Sequence, residues 1–317
     1  MTAAMSPSLR LPDGHTFAFS IFDDCDNSTI ENTKPFYDLL CRLGMRTTKT
    51  VWALDSVDVH PNWRSSTTLE NTAYRDFALS LHQDGFEIAS HGASPMSSQR
   101  EKIERALDVF QATFGHPPRA HANHGSNREN LYWYAQRFRS ASLRTLYALV
   151  IARRRLRSEG HLPNSPYFWG DLCLRSIHYV RGFTFPVLNL RSVHPNMLYH
   201  DPATPFVRYW FSGSHAPNVL SFNELLNEGN QRALELHGGI SIVATHVAAG
   251  FVQHGQVNRE TVRLLEQLAT RGGWFVPVST LLDHLRGVGL GSPIGELARR
   301  AIELRWLRHA MCRGAGG

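Results

Sequence analysis

Phe17-Ala18-Phe19-Ser20-Ile21-Phe22-Asp23-Asp24 decides how this chain folds. The stretch from Phe17 to Phe22, apolar but for Ser20, reads as a buried strand. It ends in two adjacent carboxylates. Carboxylates are costly to bury unless they are paired, hydrogen-bonded or bound to a metal, and neighbouring ones repel each other. A core strand that delivers two of them at its end predicts a cation there, and chemistry. Three further apolar runs end in histidine: Phe86-Glu87-Ile88-Ala89-Ser90-His91, Arg119-Ala120-His121-Ala122-Asn123-His124 and Ser241-Ile242-Val243-Ala244-Thr245-His246.

Working outward, strands alternate with helices. A helix is predicted over about 32–43, closed by Gly44. The β-branched stretch 46–54 is a strand. Leu69, Ala73, Phe77 and Leu81 share one helical face, as do Ile103, Leu107, Phe110 and Phe114. After the strand ending at His246 come a helix over 260–273, a strand at Trp274-Phe275-Val276 and a helix over 279–287. Such alternation implies βαβ units and a largely parallel sheet, and in a closed barrel the catalytic groups sit at the C-terminal ends of several strands. Asp24, His91, His124 and His246 all fall there. The expected architecture is an α/β fold, a distorted (β/α) barrel, in one domain over 1–290. The less regular 139–218 is read as an insertion that shapes a pocket. A C-terminal helix and flexible tail over 291–317 complete the chain; the cationic 295–309 is a surface helix packed on the domain.

Composition narrows the function. The chain has 317 residues, 42% hydrophobic, with a formal net charge of +6. No zinc-finger spacing, RRM signature or basic heptad helix is present, so nucleic acid is not an expected partner. Cys25, Cys41, Cys173 and Cys312 lie far apart, with no CxxC pair, which argues against a zinc ribbon or a disulfide scaffold. The N-terminus lacks the apolar core of a secretory signal, and no stretch reaches the ~20 apolar residues of a membrane span. A cytoplasmic protein is expected, and a homo-oligomer is compatible with the sequence.

Each polar residue has a bland reading when taken alone. Asp23-Asp24-Cys25-Asp26-Asn27-Ser28-Thr29 is good turn and N-cap material. His91, before Gly92, fits a hydrogen-bonded core histidine. Together the residues say more. An Asp with two His is a common ligand set for a catalytic divalent metal, and zinc suits nitrogen and oxygen donors. A second carboxylate then serves as base and a separate histidine as acid.

On these residues the chain resembles the polysaccharide deacetylase (NodB-homology) family of carbohydrate esterases, from about Phe17 to Leu285. The stretch Phe19–Asp26 resembles the family's first motif, which implies Asp23 as general base and Asp24 as metal ligand. Gly85–Pro95 resembles the second, with His91 as the first of two metal-binding histidines; the second position holds Pro95. Pro117–Asn127 resembles the third, with His121 and His124 at positions usually held by arginine and an aromatic residue. Ile240–Phe251 resembles the last, which implies His246 as general acid. Tyr167–Asp171 stands in for the fourth, with Asp171 as an orienting group.

The resemblance thus implies a metal-dependent sugar deacetylase, with zinc held by Asp24, His91 and a third ligand that replaces the missing histidine. His124 is the choice for that ligand and His121 the competitor. The implied substrate is an N- or O-acetylated sugar, and the expected cytoplasmic location suggests a nucleotide- or lipid-linked one in surface polysaccharide assembly. Trp133, Tyr134, Phe168, Trp169 and Trp210 are candidates to stack on a sugar ring, with core packing the alternative for at least half. The run Arg153-Arg154-Arg155 is a candidate for contacting a diphosphate, with a solvated helix face the alternative. Two other readings stand beside this one: a metal-dependent hydrolase of a small non-sugar amide, and a carbohydrate-binding relative without catalysis.

Overall fold

In the computed structural model, which describes residues 10–57, 66–125, 127–150 and 157–313, the opening strand β1 (Phe17–Asp23) is buried along its whole length. It is followed by α1 (Ile30–Arg42), β2 (Thr48–Val51), α2 (Thr72–Gln83), β3 (Glu87–Ser90), α3 (Arg100–Phe114) and β4 (Ala120–Ala122). Then come α4 (Ala141–Val150), α5 (Gly170–Ser176), β5 (Tyr179–Phe185), β6 (Leu198–Tyr199), β7 (Tyr209–His215), α6 (Val219–Leu225), α7 (Glu228–His237) and β8 (Gly239–Thr245). The chain ends with the small hairpin β9 (Val252–Gln253) and β10 (Gln256–Val257), then α8 (Arg259–Ala269), β11 (Trp274–Phe275), α9 (Val278–Gly287) and α10 (Glu296–Arg313).

Seven parallel strands close into a barrel in the order β1-β2-β3-β4-β5-β7-β8, with β8 pairing back onto β1. Strand β11 adds in parallel beside the start of β1, and β6 pairs antiparallel with β7. The α/β barrel read from the alternation is thus present.

The reading of 139–218 as a pocket-shaping insertion is corrected. This span carries β5 and β7, two staves of the barrel, joined to each other and to β4 and β8. Arg181, Gly182 and Thr184 in β5, and Ser212, Gly213 and Ser214 in β7, break up the apolar run that identified β1 and β8. Helix α10 packs on the domain through Ile302 and Leu307, and the ring of Trp306 lies against Phe138 and Phe183. The run Arg153-Arg154-Arg155 and the tail 314–317 lie outside the described residues. No described helix is long and apolar enough to cross a membrane.

The loop after β1 is held by local chemistry. Cys25 N–H donates to Thr50 Oγ1 (3.0 Å) and Ser28 N–H to the Cys25 carbonyl (3.0 Å). Asn27 takes a left-handed φ of 55°, which asparagine tolerates better than most residues. Thr29 then caps α1 through a reciprocal box, its hydroxyl accepting from Asn32 N–H while the Asn32 side chain accepts from Thr29 N–H. Asp24 and Asp26 therefore sit in a short, tightly pinned turn between β1 and α1.

Candidate active site at the barrel mouth

Side chains alternate faces along a strand. Phe17, Phe19 and Ile21 pack with Phe36 and Tyr37 of α1 in one cluster, while Ala18 and Phe22 pack with Ala120, Ala122, Phe211 and Ile240 from the strands around the barrel. Asp23 continues the outward, helix-facing series. Asp24 continues the inward one.

The consequences are concrete. The β1–β2 register sets Asp23 opposite Lys49. Asp23 Oδ2 accepts from Lys49 Nζ (3.1 Å) and Tyr37 Oη (2.8 Å), and Oδ1 from Val247 N–H (2.9 Å). Both charged side chains are 0% exposed. Burial presses the Lys49 ammonium toward its neutral form, but Asp23 opposes it and the net effect raises the pKa above the ordinary lysine value. Asp23 is a structural counter-ion that ties β1, β2, α1 and the segment after β8 together.

Asp24 turns to Arg181 of β5, whose guanidinium grips it with two parallel hydrogen bonds (2.8 and 2.6 Å). Burial favours the neutral acid, but Arg181, His91 and His246 outweigh it and hold the carboxyl below its usual range.

The centre of the cluster is Asp26. Its carboxylate lies 3.2 Å from His91 Nε2, 2.6 Å from His124 Nε2 and 3.2 Å from His246 Nε2. Desolvation raises its pKa, yet the surrounding imidazoles bring it well below the ordinary value. His91 directly follows β3 and donates its backbone N–H to Val51 (3.2 Å). His124 sits in a turn clamped by Asn130, whose Oδ1 accepts from His124 N–H (3.1 Å) and whose Nδ2 donates to the His124 carbonyl (3.0 Å). Trp52 supports both rings, with centroids 4.6 Å from His91 and 4.7 Å from His124.

His246 arrives from the other side. The full β1–β8 register ends at Asp23 opposite Thr245, and Asp24 N–H donates to the Thr245 carbonyl (2.8 Å), so His246, the first residue after β8, stands level with Asp24. Its Nδ1 pairs with the Pro217 carbonyl (2.9 Å), which directs Nε2 toward Asp26. Burial lowers its pKa, but the Asp26 hydrogen bond and the charges of Asp24 and Asp26 prevail and raise it to about 9. At 31% side-chain exposure it is the most open of the cluster, against 11% for Asp26 and 1% for His91.

His121 lies off the Asp26 cluster. Its Nδ1 pairs with Ser90 Oγ (3.2 Å), and burial, with His91 adding repulsion, pushes its pKa down to about 3. Asp171 has no described hydrogen bond or ion pair with the Asp26 cluster. It is 45% exposed at the start of α5 and forms a bidentate pair with Arg100 at the start of α3 (2.7 and 2.9 Å). Trp169 and Trp210 are core residues whose indole N–H groups donate to the Glu129 carbonyl (2.7 Å) and Thr204 Oγ1 (2.8 Å). Phe168 packs edge-on against Phe206, and Trp133 lies under the Arg137 guanidinium.

The donor set suits a metal ion. Ligand atoms of Asp26, His91 and His124 lie within 4.8 Å of one another, and those of Asp24, Asp26 and His246 form a second such group. His91 Nδ1 is buried with no hydrogen-bond partner among the described residues. Asp26 belongs to both groups. Since Arg181 already neutralises Asp24, the first group is the better fit, with two imidazoles and one carboxylate.

No family model matches the chain, and no curated protein matches it in sequence. Among solved structures, a putative polysaccharide deacetylase from Mycobacterium smegmatis aligns with a TM-score of 0.54 and 13% identity, over 91% of this chain and 96% of that one. The chain has the polysaccharide deacetylase fold. A probable polysaccharide deacetylase from Pseudomonas aeruginosa PAO1 and Puue allantoinase follow, each at a TM-score of 0.49, with 13% and 12% identity over 88% of this chain and 94% and 93% of theirs.

Within this deacetylase-fold barrel, the residues missed in the sequence are Asp26, Lys49 and Arg181. Asp26 read as turn material two positions past the acidic pair. Lys49 and Arg181 did leave a signal: a lone cation inside a β-branched or aromatic strand needs a buried anion.

Proposed function

We propose that this chain is a divalent-metal-dependent deacetylase of acetylated sugars, in which Asp26, His91 and His124 hold the cation, Asp24 is the base and His246 the acid. The observation that carries the reading is the convergence of three imidazoles on the Asp26 carboxylate beside an Arg-gripped Asp24. Zinc is the cation best suited to this donor set. Such a cation supplies Lewis acidity toward an acyl oxygen and toward water.

The protein's own groups do the rest. Arg181 keeps Asp24 ionised and fixes its orientation, so that Asp24 can take a proton from the attacking water. His246, oriented by its Nδ1 contact with the Pro217 carbonyl and with Asp24 beside it, donates a proton to the departing amine or alcohol. Water and the acetylated substrate become acetate and the free amino or hydroxyl group, with the proton count balanced. The partial exposure of His246 fits the group that meets the leaving atom.

The test is acetate release from acetylated amino sugars and acetylated oligosaccharides by zinc-loaded protein. Wild type should release acetate, and Asp24→Asn should lower turnover by at least about 100-fold, the lower end of what general-base catalysis contributes. Full activity in Asp24→Asn would remove the base assignment.

A second expectation concerns His246. In metal-free protein, its ring should titrate near 9 by NMR, because Asp24 and Asp26 stabilise the cation. The sign is that of a raised histidine: its contribution to stability is complete below the unfolded value of about 6.5 and is lost as pH rises through the folded value. Zinc should lower that value by neutralising Asp26. An ordinary titration near 6.5, unmoved by zinc, would contradict the geometry.

A further inference from the structure

Strand β7 is a fourth strand that delivers a histidine toward the barrel mouth: it ends at His215. Its polar positions Ser212, Gly213 and Ser214 conceal it from a hydropathy reading.

The direction of the His215 side chain follows from alternation along β7. Phe211 faces the barrel interior, its ring centroid 5.6 Å from that of Phe22. Gly213 presents the same face, since a Cβ built there would lie 3.4 Å from Ala244 Cβ and from Thr184 Cγ2. His215 is the next inward position. The register agrees: His215 stands opposite Ala244 of β8, and Ala244 stands opposite Phe22 of β1. In β1 the inward residue after Phe22 is Asp24; beyond β8 the one after Ala244 is His246.

Its neighbours define what His215 meets. Strand β7 lies between β5, which carries Arg181, and β8, which leads to His246. Two residues past His215, the Pro217 carbonyl contacts His246 Nδ1 (2.9 Å), and Ala216 N–H donates to the Ala244 carbonyl (3.1 Å). The end of β7 is therefore fixed against the end of β8. His215 belongs to neither group of candidate metal ligands. It is half-buried, at the end of a strand that is fully buried from Trp210 to Ser214. A partly open imidazole that faces inward beside His246 is placed to touch what enters the mouth.

We propose that His215 is a substrate-contacting residue that hydrogen-bonds a sugar hydroxyl next to the acetylated position. In the deacetylase reading, on which this inference rests, His246 faces the leaving atom. That atom belongs to the sugar, so a side chain adjoining His246 meets the sugar rather than the acetyl group. A neutral imidazole offers one N–H donor and one acceptor nitrogen, a match for a hydroxyl, which does both. His215 thereby favours acetylated sugars over acetyl esters that lack such hydroxyls.

The probes are N-acetylglucosamine tetramer and acetylated xylotetraose, with phenyl acetate as the acetyl ester without a sugar, each given to the zinc-loaded full-length protein. His215→Ala should lower kcat/KM for the sugar that wild type turns over by about tenfold more than for phenyl acetate, about what one lost hydrogen bond costs. The loss should lie in KM rather than kcat, with zinc content unchanged. His215→Gln, which keeps a donor and an acceptor, should recover part of it. With an active wild type, an equal fall on both kinds of substrate, or no fall on the sugar, would overturn the role of His215 and leave the deacetylase reading standing. Acetate released from neither sugar by wild type would overturn that reading, and the role of His215 with it. If the alanine variant does not fold, NMR of the His215 ring in wild type decides: the deacetylated sugar should shift its signals and acetate should not, and signals unmoved by the sugar would overturn the contact.

Discussion

Asp26→Asn is expected to lower metal affinity by more than about 100-fold and to abolish turnover with it. Loss of a residue that merely orients a ligand costs about 10–100-fold, and Asp26 is the carboxylate on which both candidate ligand groups depend. Asparagine keeps the size and one carbonyl oxygen but removes the charge that His91, His124 and His246 surround. The contrasting variant is Asp24→Asn. Asp24 is already committed to Arg181, so its replacement should leave metal affinity within about tenfold while stopping catalysis. Metal content of the purified variants and competition with a chelator measure the difference. Stoichiometric zinc in Asp26→Asn, with zinc lost from Asp24→Asn, would reverse the assignment of the two carboxylates.

Lys49→Met should destabilise the fold by about 3–5 kcal/mol, the range for breaking a buried ion pair from one side. In a chain of this size that corresponds to a fall in melting temperature on the order of 10 °C. The cause is Asp23, left fully buried with only Tyr37 and the Val247 N–H as partners. Adding Asp23→Asn to Lys49→Met should recover part of the loss, since the asparagine oxygen can still accept from Val247 N–H, its amide NH2 can donate to the Tyr37 hydroxyl, and no buried charge remains. Urea unfolding of the two single variants and the double variant gives the coupling energy. Turnover per folded molecule separates this role from the one implied by resemblance. A folded Asp23→Asn protein should retain substantial activity, whereas a base at that position would be indispensable.

Much of the barrel was legible because its strands are either continuous apolar runs or are separated by helices with clear faces. Strand β1, strand β8 and helix α3 are of this kind: a run such as Ile240–Thr245 has few other readings. Strands β5 and β7 were not legible, because each carries polar and glycine positions that a barrel wall tolerates and a simple hydropathy pattern does not. That His91 and His246 reach the barrel mouth could be read from their place directly after strands. Asp26 could not, since a turn between a strand and a helix N-cap is where aspartate is ordinary. Arg181 stands 157 residues from the carboxylate it holds, beyond the reach of any local pattern.

The sequence by itself determined that carboxylates and histidines would gather at the C-terminal ends of parallel strands, because that follows from where the apolar runs stop. It also determined that Asp23 and Asp24 must face opposite ways, because strand side chains alternate. Only the tertiary structure decided which of the two faces the barrel interior. That choice rests on which face of β1 is covered by α1 and which by the opposite strands, and on registers that set Lys49 against Asp23 and bring Arg181 to Asp24. These are long-range packing outcomes, and they put Asp24 and Asp26, rather than Asp23, among the histidines at the barrel mouth.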